Sequence, residues 1–222
     1  MKIITLSHEM TSYLQNNIHI RFLSSIVYGF ALLHINELNT LIPFFIALSI
    51  LMIGCIYEMI KINAHFKNKF IIFLECIYII ISFILCINIR QYENGLVLIY
   101  ILLLHVWSSD VGGYVIGSLG KYQLTKISKK KTWEGILGSL FFCILTGLFL
   151  KTKINENIEI NSFILSIIIC LSSITGDLII SKIKRINNIQ QSGVFLPGHG
   201  GFLDRLDSLL FATPIYYLMI YI

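Results

Sequence analysis

The sequence predicts an all-α fold: a polytopic integral membrane bundle of about seven helical spans, with the N-terminus in the cytoplasm. Three observations lead to it. Hydrophobic residues make up 56% of the 222 and charged residues only 13%, against roughly 25% charged in a soluble domain. The mean hydropathy is strongly positive, at +0.79. Apolar runs near the ~20 residues needed to cross the hydrocarbon core recur along the chain, with short polar connections between them.

The predicted spans are Phe22–Ile35, Leu41–Tyr57, Phe70–Ile89, Gly95–Leu119, Ile136–Leu150, Phe163–Ile180 and Ser208–Ile222. The first, fifth and last are short. Gly95–Leu119 is long and is interrupted by Ser108, Ser109, Asp110, Gly112 and Gly113. Charge placement tests the count. With seven spans, one side of the membrane takes Lys2, Arg21, Lys61, Lys67, Lys69, Lys121, Lys126, Lys129, Lys130, Lys131, Lys182, Lys184, Arg185 and Arg205, and the other takes only Arg90, Lys151 and Lys153. That bias is the one expected of cytoplasmic loops. Splitting Gly95–Leu119 into two crossings would put the basic loops before and after it on opposite sides, so it is read as one. Nothing at the start of the chain has the form of a cleavable signal, and the first span is expected to act as its own targeting signal.

With spans and short loops using up the chain, no separate soluble domain is expected. Residues 1–107 form a membrane-spanning scaffold and residues 108–222 a catalytic membrane region, within one integral membrane domain. The net charge of +5 follows from basic cytoplasmic loops and gives no reason to invoke nucleic acid. The five cysteines, Cys55, Cys76, Cys86, Cys143 and Cys170, lie in apolar runs without C-x-x-C spacing, and are read as packing residues.

Ionisable residues inside or at the edge of apolar segments are costly and draw attention to function. Here they are Glu58, Glu75, Asp110, Glu134, Asp177, Asp204 and Asp207. Glu58 is expected to pair with Lys61 or Lys184, and Glu75 to serve either structure or function. Gly113 and Gly117 form a small-x-x-x-small face for helix packing, and Lys129, Lys130 and Lys131 follow as a basic juxtamembrane run. Asp177 and Ser181 are one helical turn apart, with Lys184 and Arg185 just beyond. In SGVFLPGHGGFLDRLDS, Gly198, Gly200 and Gly201 form a turn whose N–H groups can face phosphate oxygens, with His199 among them. Asp204 and Asp207 share a face on a helix starting near Phe202. Two such carboxylates call for a cation, and Mg2+ suits oxygen ligands and nucleotide phosphates. Arg205 between them can clamp a phosphate.

In their order and spacing these segments resemble the integral-membrane phosphatidate cytidylyltransferase family, also called CDP-diacylglycerol synthases. The matching residues are Ser181, Lys184-Arg185, Pro197, His199-Gly200-Gly201 and Asp204-Arg205 with Asp207. Upstream, Ser128, Lys130, Lys131, Thr132, Trp133, Glu134 and Gly135 are similar to the family's serine-proline-lysine-lysine-threonine-tryptophan-glutamate-glycine element, and Asp110, Gly113, Tyr114 and Gly176-Asp177 fit its helices. Two positions depart from the pattern. Lys129 stands where the family usually has proline, and Gln190-Gln191 stands where it has a lysine-aspartate pair.

The resemblance implies attack of phosphatidic acid on the α-phosphate of CTP, giving CDP-diacylglycerol and pyrophosphate. It implies Asp177, Asp204 and Asp207 as ligands for Mg2+, with a second metal ion allowed. Lys184, Arg185, Arg205 and His199 join Asp204 and Asp207 in catalysis, and Ser128, Lys130, Lys131, Ser181, Gly200 and Gly201 bind substrate. The implied partners are CTP, phosphatidic acid, the lipid bilayer and a second copy of the chain in a homodimer, with no nucleic acid. The implied location is a bacterial inner (plasma) membrane with the site facing the cytoplasm. Three other readings stay open at this point: a CTP-dependent polyprenol or phytol kinase, a transporter, and a family member inactivated by Gln190-Gln191.

Overall fold

The computed structural model describes residues 34, 40–64, 69–125, 128, 131–153, 161–193 and 200–221. Over these residues the chain is helical: α1 Leu41–Ile62, α2 Lys69–Gln91, α3 Gly95–Gly117, α4 Trp133–Lys153, α5 Ser162–Ile186 and α6 Leu203–Tyr221. Among the described residues there is no strand, only an isolated antiparallel bridge between Gln123 and Thr132. Five of the helices, α1 to α5, are long and apolar enough to cross a membrane. The expected span Phe22–Ile35 lies outside the described residues. The expected span Gly95–Leu119 is one unbroken helix as far as Gly117, despite its serines and glycines.

Apart from α3, the helices run past the apolar cores that predicted them. α1 continues through Glu58 and Lys61, α4 starts at Trp133 and takes in Glu134, α5 carries Asp177 through Arg185, and α6 starts five residues before the predicted span. A hydropathy window stops where charge begins, whereas the i→i−4 hydrogen-bond ladder continues across polar residues at no cost.

The residues group into two compact units: Met1–Ile79 with Ile186–Leu206, and Ile80–Arg185 with Asp207–Ile222. In the first, α1 exposes Ile42, Ile46, Ile50 and Ile53 along one face and buries Phe44, Leu48, Leu51, Cys55 and Met59. An apolar stripe on the outside suits a helix whose solvent is lipid. Glu75 accepts a 2.7 Å hydrogen bond from Asn63 Nδ2, and Asn187 Nδ2 donates to Asn63 Oδ1 at 2.8 Å. Glu75 thus belongs to a structural polar link in this unit.

In the second unit α3 and α4 pack closely through glycines. A Cβ on Gly112 would lie 2.5 Å from the Gly138 carbonyl oxygen, and one on Gly138 would lie 2.5 Å from that of Gly112. Gly117 meets the Gly135 Cα in the same way, at 3.3 Å. The small-residue face read from Gly113 and Gly117 is therefore a helix contact, met on α4 by Gly135 and Gly138. Because the Gly112 carbonyl oxygen and the Ile116 Cβ that obstruct it cannot swing aside, Gly138→Ala should cost about 1–3 kcal/mol, measured as a lower thermal midpoint of the detergent-solubilised protein. Two buried hydroxyls are satisfied within their own helix: Ser166 and Ser172 donate to the carbonyls of Ser162 and Ile168 at 2.7 Å. Between helices, Tyr216 Oη donates to the Leu98 carbonyl at 3.0 Å and Ser82 Oγ to that of Leu210 at 2.9 Å. The cysteines are free, and all but Cys76 are buried, as packing residues would be.

Candidate active site

The second unit gathers acidic and basic side chains from four parts of the chain. The connection from α3 to α4 is held by its own hydrogen bonds. Thr132 caps α4, its Oγ1 accepting the Gly135 N–H at 3.1 Å, a role suited to a threonine just before a helix. Glu134 accepts the N–H groups of Lys121 and Tyr122 at 2.9 and 3.2 Å. The Leu124 N–H donates to the Lys131 carbonyl at 2.8 Å and the Trp133 N–H to that of Tyr122 at 3.0 Å. Lys131 is thus carried by a braced segment rather than a loose basic run. Its Nζ lies 2.5 Å from Asp177 Oδ2 on α5.

Asp177 Oδ1 accepts the Ser181 hydroxyl at 3.2 Å, as their one-turn spacing predicts. Ser181 and Lys184 are buried, while Arg185 is exposed. On α6, Asp207 is only 8% exposed, and its Oδ1 accepts the Ser208 N–H at 2.8 Å. The Ser208 hydroxyl donates to Asp110 Oδ1 on α3 at 3.3 Å. Asp207 lies within electrostatic reach of Asp177, Asp110 and Lys184. A glycine makes the approach of α5 and α6 possible: a Cβ on Gly176 would stand 2.6 Å from the Asp207 carbonyl oxygen and 2.8 Å from Phe211 Cβ.

Three carboxylates with two lysines and two serine hydroxyls form a centre of opposed charges. Like charges brought together out of water are costly unless cations compensate them. Lys131 and Lys184 supply part of that compensation. The donor chemistry, carboxylate and hydroxyl oxygens only, fits a hard divalent cation of the Mg2+ type. Among the described residues no group of three or more His, Cys, Asp or Glu side chains is drawn together as a formed metal site.

Asp204, Arg205, Gly200 and Gly201 belong to the first unit. Asp204 Oδ2 accepts the N–H groups of Ser192 at 2.8 Å and Gly201 at 3.3 Å. Gly200 has φ +84°, a left-handed conformation that glycine adopts without steric cost. Of the amides expected to face phosphate, that of Gly201 is engaged by Asp204 and Gly198 lies outside the described residues; the next two amides, of Phe202 and Leu203, are engaged by Glu58. Those are orphan donors at the start of a helix, and nearby carboxylates satisfy them. Arg205, Gln190 and Gln191 are exposed. Ser128 takes part in its turn, its N–H donating to Thr125 Oγ1 at 3.3 Å. Lys130, Pro197 and His199 lie outside the described residues.

Glu58 corrects the pairing expected with Lys61 or Lys184. It accepts instead from Ser192 Oγ at 2.7 Å, Phe202 N–H at 3.0 Å and Leu203 N–H at 2.9 Å. Sequence reasoning flagged Asp110 without giving it a role, and it missed Ser208. Asp110 and Ser208 are 98 positions apart, and no local pattern joins them.

The fold and this centre together define an all-α, multi-pass membrane protein whose acidic and basic side chains meet in an otherwise apolar bundle. The chain belongs to the Cytidylyltransferase family, which it matches over residues 2–222. It is similar to the phosphatidate cytidylyltransferase of Synechocystis sp., 37% identical over 133 residues covering 58% of this chain and 44% of that protein. It is also similar to that of Aquifex aeolicus, 34% identical over 165 residues, 73% of this chain and 60% of the relative. The similarity to that of Rickettsia prowazekii, 31% identical over 213 residues, takes in 91% of this chain and 92% of the relative. Against the first two of these, the chain spans about half the relative's length, 44% and 60%.

Proposed function

We propose that this protein transfers a cytidylyl group from CTP to phosphatidic acid, giving CDP-diacylglycerol and pyrophosphate. The observation that carries the reading is the convergence of Asp110, Asp177 and Asp207 with Lys131 and Lys184 in the second unit. Both reactants are anionic, so their encounter needs fixed positive charge, and transfer at a phosphate is served mainly by positioning and electrostatics. An oxygen of the phosphatidate phosphate attacks the α-phosphorus of CTP; that P–O bond forms as the bond to the β-phosphate breaks, and pyrophosphate leaves with the electron pair. A phosphate monoester is already a competent nucleophile, so no separate general base is required.

Lys131 and Lys184 are the groups suited to bind the phosphates, and the Ser181 and Ser208 hydroxyls hold the carboxylates in orientation. Asp177 and Asp207, together with phosphate oxygens of the substrates, would hold Mg2+, which, when bound, offsets phosphate charge. The proposed location is a bacterial inner membrane with the centre on the cytoplasmic side, where CTP is supplied. The uneven distribution of Lys and Arg between the two sides supports that orientation.

The test is an assay of the purified protein in lipid nanodiscs with labelled CTP and phosphatidic acid, varying Mg2+. The expected outcome is labelled CDP-lipid and stoichiometric pyrophosphate, both dependent on Mg2+. A phosphorylated lipid with CDP as co-product, or no nucleotide turnover at all, would overturn the proposal.

A further inference from the structure

Glu58 stands apart from the predicted motifs, more than a hundred residues before the glycine turn, yet the structure joins it to the start of α6. It is 1% exposed on α1. Its Oε1 accepts the Phe202 N–H, and its Oε2 accepts both the Leu203 N–H and the Ser192 hydroxyl. Phe202 and Leu203 supply two of the N–H groups that a helix leaves without partners in its first turn. The carboxylate also lies where the positive end of the helix dipole favours negative charge. Ser192 ties the arrangement together, because its N–H donates to Asp204 Oδ2 while its Oγ donates to Glu58.

Two carboxylates therefore share five donors, from Ser192, Gly201, Phe202 and Leu203. The space around Glu58 is closed: a Cβ on Gly193 would lie 2.5 Å from its Oε1, and a Cβ on Gly201 would overlap both of its oxygens and Ser192 Oγ. The two glycines let the backbone come close to the carboxylate. Nothing in this arrangement leaves Glu58 open to a substrate. What it determines is where α6 begins and how Asp204 is held.

We propose that Glu58 is a positioning residue for the reaction, acting from α1 to fix the start of α6 and the orientation of Asp204 through the shared Ser192 and helix-start amides. The proposal rests on the cytidylyl-transfer reading for its kinetic consequence. Its structural part stands independently.

Glu58→Gln tests it with little change of size. Three donors converge on the two carboxylate oxygens, and an amide presents only one acceptor oxygen, so at least one donor must face an NH2 group. In the full-length protein in nanodiscs, kcat for CDP-lipid formation is expected to fall about tenfold or more, with KM for CTP changed less than about threefold, because Asp204, which the family resemblance assigns to Mg2+, would lose its fixed orientation while the phosphate-binding lysines stay in place. Ser192→Ala, which removes the linking hydroxyl, is expected to give a smaller loss of kcat with an unchanged thermal midpoint. The double variant should lose less than the product of the two single effects, as residues of one network do.

Hydrogen exchange supplies a second readout, with the amides of residues 200–206 expected to exchange faster in Glu58→Gln. Wild-type kcat in Glu58→Gln, or strictly multiplicative losses in the double variant, would overturn the proposal. If Glu58→Gln fails to fold, Ser192→Ala decides: unchanged kcat together with unchanged exchange at residues 200–206 counts against it. If the wild-type protein itself shows no turnover, the cytidylyl-transfer reading has failed, and unaltered exchange at residues 200–206 in Glu58→Gln would separately show that Glu58 does not set the helix start.

Discussion

Asp207→Asn is expected to lower CDP-lipid formation by about two to three orders of magnitude, the range seen when a group stabilising charge in a transition state is removed. The thermal midpoint should not fall. Asparagine keeps an oxygen to accept the Ser208 N–H that Asp207 Oδ1 accepts at 2.8 Å. Removing one charge beside Asp110 and Asp177 also relieves like-charge repulsion in a buried position. Activity and stability thus part company, as at sites where function keeps a costly group in place. Steady-state rates and thermal unfolding of the same preparations check both halves. Near-wild-type turnover would remove Asp207 from the site, and an unfolded variant would mean that its role is structural.

Lys131 gives the second large effect, with the opposite charge. Its ion pair with Asp177 is partly open to solvent, the two side chains being 23% and 32% exposed, and such pairs contribute about 0–1 kcal/mol to stability. Stability alone therefore does not account for a lysine held in place by a braced turn. Lys131→Gln is expected to raise KM for CTP about tenfold, the loss of one charge-assisted contact, with little change in thermal midpoint. Lys131→Glu should abolish turnover by adding a fourth carboxylate beside Asp110, Asp177 and Asp207. Lys131→Arg should retain most activity. Equal KM values for wild type and Lys131→Gln would exclude a role in nucleotide binding.

The distance from sequence to site differs from one residue to the next. The Asp177–Ser181 hydrogen bond was legible because both lie on one helix a turn apart, and helical periodicity fixes such neighbours. The close packing of α3 on α4 was legible by half: Gly113 and Gly117 announced a packing face, but nothing local named Gly135 and Gly138 as its counterpart. Lys131 stood in a basic juxtamembrane run of three lysines, and the family resemblance assigned it to substrate binding without a partner. Only the bridge between Gln123 and Thr132 and the cap at Thr132 explain why that lysine is directed at Asp177. The glycine turn was recognised as a unit, whereas the engagement of its Gly201 amide by Asp204, and of the following Phe202 and Leu203 amides by Glu58, was not.

By itself, the sequence determined that the chain is a helical membrane protein, where most of its helices lie, and which short segments hold its polar chemistry. Those properties are local: hydropathy and helical periodicity are set within a window of about twenty residues. The tertiary structure alone decided that Asp110 meets Ser208, that Gly176 lets α5 and α6 approach at Asp177 and Asp207, and that Glu58 serves the start of α6. Those pairings join residues far apart in the chain. They depend on where backbones come close, and that is set by glycines on facing helices and by donors left unpaired at helix ends, none of which a hydropathy pattern records.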